Sequence, residues 1–129
     1  MITLLYSSRS LVALGSPEMA SIGVESYRNN RRRAITGALA ADGDSFVQLL
    51  EGAEDDVDAL FERIRLDPRH RDVRLLLREP LAARRLPGWS MKVFDAGRYA
   101  HLGRLFRHDH LLAAPARVHR CVVGLMARL

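Results

Sequence analysis

Residues 34–52 constrain the fold most. Two apolar runs, AITGALAA and SFVQLLEG, are separated by DGD, a turn signal, and together they read as a hairpin. A two-residue loop at Asp42-Gly43 would set Gly37 opposite Gln48. Gln48 is the odd residue in its strand, surrounded by Phe46, Val47, Leu49 and Leu50. A buried amide has donors and acceptors to satisfy, and leaving one unmade costs about 1–3 kcal/mol. The hairpin is therefore expected to hold a polar partner for Gln48 inside the domain.

The flanking segments supply the rest of a sheet. Residues 2–7, ITLLYS, alternate as a strand with Ile2, Leu4 and Tyr6 on one face. Ser16-Pro17-Glu18 starts a helix: a serine cap, proline at the first position and an acid near the positive end. Its stripe runs Met19, Ile22, Ser26 or Tyr27, and Asn30 ends it on the same face. A second helix over 54–66 carries Val57, Leu60, Phe61 and Ile64, opens on Asp55-Asp56 and stops at Asp67-Pro68. A fourth strand is expected at 72–78, then a turn at Pro87-Gly88 and a fifth strand alternating Trp89, Met91 and Val93.

This order, βαββαββ, is an α+β ferredoxin-like pattern with two helices on one sheet face. Residues 96–129 read as two short helices around Ala114-Pro115, giving a division into 1–95 and a C-terminal extension. Their apolar residues, among them Leu105, Phe106, Val122 and Met126, need cover. Either the open sheet face or a homo-oligomer would supply it, and at least a dimer is favoured.

Composition enters as a filter. The 129 residues suit one soluble domain. The N-terminus has no basic leader, no run is long enough to span a membrane, and a cytoplasmic location is expected. The single Cys121 excludes an internal disulfide and reads as a small core residue. The net charge of +5 comes almost wholly from arginine, clustered at 31–33, 69–71 and 84–85. Most of these read as solvated charges. His101, His108, His110 and His119 read as surface decoration, with no metal site.

Tyr6, Gln48 and Asn30 are all expected on the helix-covered face. A phenol and two amides converging there suit a flat heteroaromatic ligand between the helices, with Ile22 and Ile64 as walls. At this point the chain resembles the BLUF domains, blue-light sensors that use flavin. LLYSS resembles the family's first strand, giving Tyr6 and Ser8. NNRRRAITGAL is similar to the segment with the flavin-binding asparagine, giving Asn30. FVQLLEG resembles the strand with the switching glutamine, DPRHRDV the turn after the second helix, and RRLPGWSM the approach to the fifth strand.

The resemblance implies noncovalent flavin, FAD with FMN or riboflavin as alternatives. Asn30 and Gln48 would hold it, Ile22, Phe46 and Ile64 would wall it, and Arg69 and His70 would lie near its tail and ring edge. It implies light-driven electron and proton transfer from Tyr6 through Gln48. The rearranged hydrogen bonds would red-shift flavin absorption. The change would pass through Trp89, Met91 and Ser8 to a separate partner protein, so this would be a sensor and not an enzyme. Three readings compete: a flavin-free interaction module, a ferredoxin-like nucleic-acid binder and an acyl-phosphate hydrolase on the same topology. The second would want stacking aromatics on the middle strands, where only Phe46 stands. An acyl-phosphate hydrolase would want a denser glycine–arginine loop than SSRSLVALGS provides.

Overall fold

A computed structural model of the chain describes residues 1–12 and 15–129. The elements are β1 (Ile2–Ser10), α1 (Pro17–Arg32), β2 (Thr36–Asp42), β3 (Ser45–Gly52), α2 (Glu54–Arg65), β4 (His70–Pro80) and β5 (Lys92–Asp95). Two short 3-10 turns follow, then α3 (His108–Ala113) and α4 (Ala116–Arg128). They form one sheet in the order β4-β1-β3-β2-β5. The first four strands pair antiparallel, and β5 lies parallel to β2. This is the ferredoxin-like arrangement with one added edge strand. No helix among the described residues is long and apolar enough to cross a membrane.

The local signals behave as their chemistry requires. Ser16 caps α1 by accepting from the Met19 N–H at 3.2 Å, with Pro17 in the first turn. Glu54, Asp55 and Asp56 sit in the first turn of α2, where carboxylates meet the positive end of the helix. Along α1, Met19 and Asn30 are buried, Ser26 is half-buried and Tyr27 is exposed, so Ser26 continues the inward stripe.

The hairpin closes one residue later than the turn signal implied. Asp42 pairs with Ser45, so the loop is Gly43-Asp44 and Leu39, not Gly37, lies opposite Gln48. Gly43 takes φ +59 at the first loop position, which glycine adopts without strain. The shift is two residues, so no side chain changes face. Gly37 instead faces Leu50.

The sheet is buried on both sides. Ile2, Leu4, Tyr6, Leu39, Phe46 and Leu50 pack with Met19, Val57 and Phe61 of the two helices. Leu5, Ala38, Val47, Leu49 and Leu77 pack on the opposite face with Phe106, Leu111, Val122 and Met126. The C-terminal helices thus cover the open face, and their apolar stripes do not require a second copy of the chain. This placement overturns three further expectations. His108 and His119 are buried under α3 and α4, while His101 and His110 stay exposed; Cys121 is exposed.

Segment 81–91 crosses between β4 and β5 under several restraints. Glu51, fully buried on β3, accepts from Thr36 Oγ1 (2.8 Å) and from the N–H groups of Leu86 (2.7 Å) and Arg85 (3.0 Å). Three donors satisfy a carboxylate that would otherwise be costly to bury. Arg84 is not a solvated charge: it donates to Thr36 Oγ1 (2.9 Å) and to the Glu51 carbonyl (3.0 Å). Further on, the Trp89 carbonyl accepts from the Gly37 N–H at 3.0 Å. These bonds hold residues 84–89 against the β2–β3 hairpin, and β5 starts only at Lys92. Trp89 is therefore in the preceding turn and half-exposed, not on the strand, while Met91 is buried.

Gly37 is the tightest point of this packing. A Cβ there would lie 2.1 Å from the Leu49 carbonyl oxygen, a backbone atom held in the ladder. Gly37→Ala is expected to lower the urea midpoint, with a stability loss of about 2 kcal/mol and little change in slope. An unchanged midpoint would show that the hairpin yields more easily than its register implies.

Candidate functional site

Strand register brings the site together. Tyr6 on β1 and Gln48 on β3 are direct cross-strand partners, and Leu39 on β2 is the partner of Gln48 on its other side. All three side chains belong to the face under α1 and α2. Asn30 comes down from the last turn of α1. These residues form the inner wall of a cavity of about 300 Å³ between the two helices, within the range of small-molecule sites.

The Tyr6 hydroxyl donates to Gln48 Oε1. Gln48 Nε2 lies 3.6 Å from Met91 Sδ, a weak acceptor. Asn30 Nδ2 donates to the Ser90 carbonyl at 2.8 Å, and its amide oxygen takes no donor from the described residues. The Tyr6 ring is clamped by Phe61, 5.6 Å away between centroids, and by the edge of His70 at 6.2 Å. Burial pushes the Tyr6 phenol pKa well above its ordinary value, and the negative charge of Asp67 adds to the rise.

The lining grades outward from these buried groups. Ile22, Leu60 and Ile64 are half-buried along the helices, and Phe46 closes the floor. At the outer end stand Glu25, Ser26, Asn29, Arg63, Asp67, Arg69 and His70. Arg69 pairs with Asp67 at 2.6 Å and with Glu25 at 2.9 Å. Its hydrogen bonds hold the Asp67 carboxyl below the usual carboxylate range. Arg63 has no ion-pair partner among the described residues. His70 is fixed at both nitrogens, by Ser8 Oγ at 2.9 Å and by the Ile64 carbonyl at 2.6 Å.

Of the residues singled out in the sequence, Tyr6, Ile22, Asn30, Phe46, Gln48, Ile64, Arg69 and His70 line the cavity. Met91 touches Gln48 from outside it, and Ser8 reaches the site through His70. Trp89 does not: it is half-exposed, with Lys92 Nζ 5.5 Å from its ring centroid. Sequence reasoning missed Glu25, Ser26, Asn29, Leu39, Leu60, Arg63 and Asp67. Helical spacing carried the signal for several, since Ser26 and Leu60 stand one turn from Asn30 and Ile64. Asp67 was legible as a turn former, and its carboxylate accepts from the Arg69 N–H at 2.9 Å.

The residues fit a planar heteroaromatic group. Two carboxamides offer donor and acceptor functions at the buried end, apolar side chains flank the middle, and a rim of both charges stands at the open end. A model of the BLUF family, sensors of blue light using FAD, matches residues 1–92. The photoactivated adenylate cyclase subunit beta of Euglena gracilis is 38% identical over 90 residues, covering 69% of this chain and 10% of the relative. The blue light- and temperature-regulated antirepressor BluF of Escherichia coli K12 is 37% identical over 97 residues, 75% of this chain and 22% of the relative. The chain thus spans from a tenth to about a fifth of the length of these curated relatives. The dark-state structure of BlrB, a BLUF protein, superposes with a TM-score of 0.84 at 35% identity, covering 99% of this chain and 96% of that one.

The raised Tyr6 pKa makes stability depend on pH. Above the ordinary value of 10.0 an unfolded phenol loses its proton while the folded one keeps it. The unfolded state then binds fewer protons, and stability falls as pH rises. Urea midpoints measured from about pH 9 to about pH 11 are expected to fall less steeply for Tyr6→Phe than for the wild type. Equal slopes would mean that the phenol is not insulated from solvent.

Proposed function

The chain belongs to the BLUF family, and from that premise we propose that its own residues carry a light switch built on the Tyr6–Gln48 hydrogen bond. What supports this most directly is the donation of the Tyr6 hydroxyl to Gln48 Oε1 at the buried end of the cavity. Flavin, the group that BLUF domains bind, supplies blue absorption and an excited-state oxidant. The FAD form suits the polar rim, where Arg63 and Arg69 stand, and FMN or riboflavin would use less of it.

Asn30 and Gln48 would hold the ring edge through their carboxamides. Ile22, Phe46 and Ile64 would exclude water from its faces, and Arg69 and His70 would stand toward its tail and edge. Tyr6 is the oxidisable group at the buried end. With flavin bound as the oxidant, Tyr6 would give up an electron to it and its O–H proton through Gln48 Oε1, which already accepts that hydrogen, and would take both back on recombination. The amide can then return in a different hydrogen-bonding form, turned or tautomerised, because it both donates and accepts.

Met91 is the first residue to feel this change. Its sulfur holds the Gln48 N–H lightly, so a turned carboxamide would present it with a different partner. Movement of Met91 would reach β5 and then residues 96–129, the proposed receiving segment, and from there a separate protein. Ser8 would transmit through His70, and Trp89 would follow by movement of the turn it occupies.

A spectrum of the purified protein in the dark and after blue light tests the reading. A flavin spectrum that moves to the red and relaxes in darkness is expected. Gln48→Leu should keep the flavin and lose the shift. A normal shift in that variant would remove Gln48 from the switch, and protein that takes up no flavin on reconstitution would leave only an interaction module.

A further inference from the structure

Strand β1 bonds to three other elements through three consecutive side chains. Tyr6 donates to Gln48 on β3, and Ser8 Oγ meets His70 at the start of β4. Between them, Ser7 points to the opposite sheet face, where its Oγ lies 2.6 Å from His108 Nδ1 on α3. His108 is wholly buried, and its Nε2 lies 2.8 Å from Asp72 Oδ2 on β4. Its backbone N–H donates to Ser45 Oγ on β3 at 3.0 Å. One residue of α3 is thus tied to three strands.

Hydroxyl, imidazole and carboxylate follow in the order of a hydrolase triad. Ser7 and His108 are both 0% exposed, so no acyl substrate can reach Oγ. The row must serve something internal. Its hydrogen-bond directions follow from Asp72, whose carboxyl is held at about 2 by bonds from His108 and Arg74 and is ionised at neutral pH. Nε2–H donates to it, so in neutral His108 Nδ1 accepts and Ser7 O–H donates. In the protonated imidazole both nitrogens donate, Ser7 Oγ must accept, and the Ser7 hydrogen must turn away.

We propose that His108 is a positioning residue for the Tyr6–Gln48 pair, acting through Ser7 from the back of the sheet, and that its protonation sets the rate at which the lit state relaxes. The idea rests on the photoreceptor reading above. Tyr6 and Ser7 share a peptide unit. The β1–β4 register shifts between Leu5 and Tyr6 and again between Ser7 and Arg9. The dipeptide is thus a short paired step, Tyr6 with Leu75 and Ser7 with Arg74, between two breaks, and its side chains bond on both faces of the sheet. A densely packed interior passes a displacement on one face to the other, and such coupling is reciprocal.

The charged surroundings of His108 are few. From β1 comes Arg9, which pairs with Asp44 beside β3 and with Asp109 of α3. From β4 come Asp72 and its partner Arg74. From α4 comes His119, bonded to the Leu111 carbonyl at 2.8 Å. On its own helix His110 is exposed. His70 is the other histidine bonded to β1, on the cavity side, and is the control that the experiment needs.

Dark-recovery rates of the flavin-loaded full chain are measured from about pH 5 to about pH 8, alongside amide exchange of residues 108–113 in unlit protein, corrected for intrinsic rates. Wild type should change both quantities in one single-proton step, by roughly 2- to 10-fold. Ser7→Ala should flatten the recovery profile. His108→Asn, whose amide oxygen can accept from Ser7 but cannot titrate, should hold the high-pH recovery rate throughout, and His108→Leu should not. A recovery step that survives in Ser7→Ala arises outside the Ser7–His108 contact and overturns the proposal, as does a flat wild-type profile. Absence of any red shift in wild type would overturn the photoreceptor reading instead. The exchange profile would then still judge the contact, since a flat one means that His108 does not gate it.

Discussion

The buried end of the cavity is organised around one hydrogen bond, from the Tyr6 hydroxyl to the Gln48 carboxamide oxygen. It joins direct cross-strand partners at the centre of the sheet, so its geometry is set by the β1–β3 ladder and not by flexible loops. Both residues are under 5% exposed, at the buried end of the cavity. There the phenol keeps its proton against bulk base, and leaving either group unpaired would cost more than the bond itself contributes. Such a bond has few alternatives, which is what a two-state device requires.

The second constraint is the hold on segment 81–91. Glu51 gathers two of its backbone N–H groups, Gly37 donates to Trp89, and Asn30 donates to Ser90. Met91 follows directly, so its contact with Gln48 depends on a loop fastened at several points. Asn30 belongs both to the cavity wall and to that fastening. Two amides of the cavity wall, Asn30 and Gln48, thus touch the segment leading to β5.

Much of this was legible in the residues. Strand alternation put Tyr6 and Gln48 on one face, and the helical repeat brought Asn30 to it, because both periods are local geometry. The hairpin register differs by two residues from the turn signal because DG and GD are both good two-residue loops with Gly43 at positive φ in either, and the pairing of Asp42 with Ser45 decides between them. Trp89 was placed on a strand because it alternates with Met91 and Val93. The restraints that keep it in a turn come from Glu51 and Gly37, far away in sequence. His108 was the least legible. Its partners Ser7 and Asp72 are 101 and 36 residues away, and nothing in HDHLLA distinguishes a buried imidazole from an exposed one.

The irregular β4 has a further consequence. It is the long outer strand of the sheet, and an outer strand normally invites another chain to add to it. Here Asp72 sits at φ +52 where the register breaks, and Arg74 and Arg78 stand out from the strand in ion pairs. A neighbouring chain would meet a kinked backbone and a row of fixed charges instead of an open line of donors and acceptors. The register breaks that flank Tyr6 and Ser7 thus also protect the sheet from edge-to-edge aggregation.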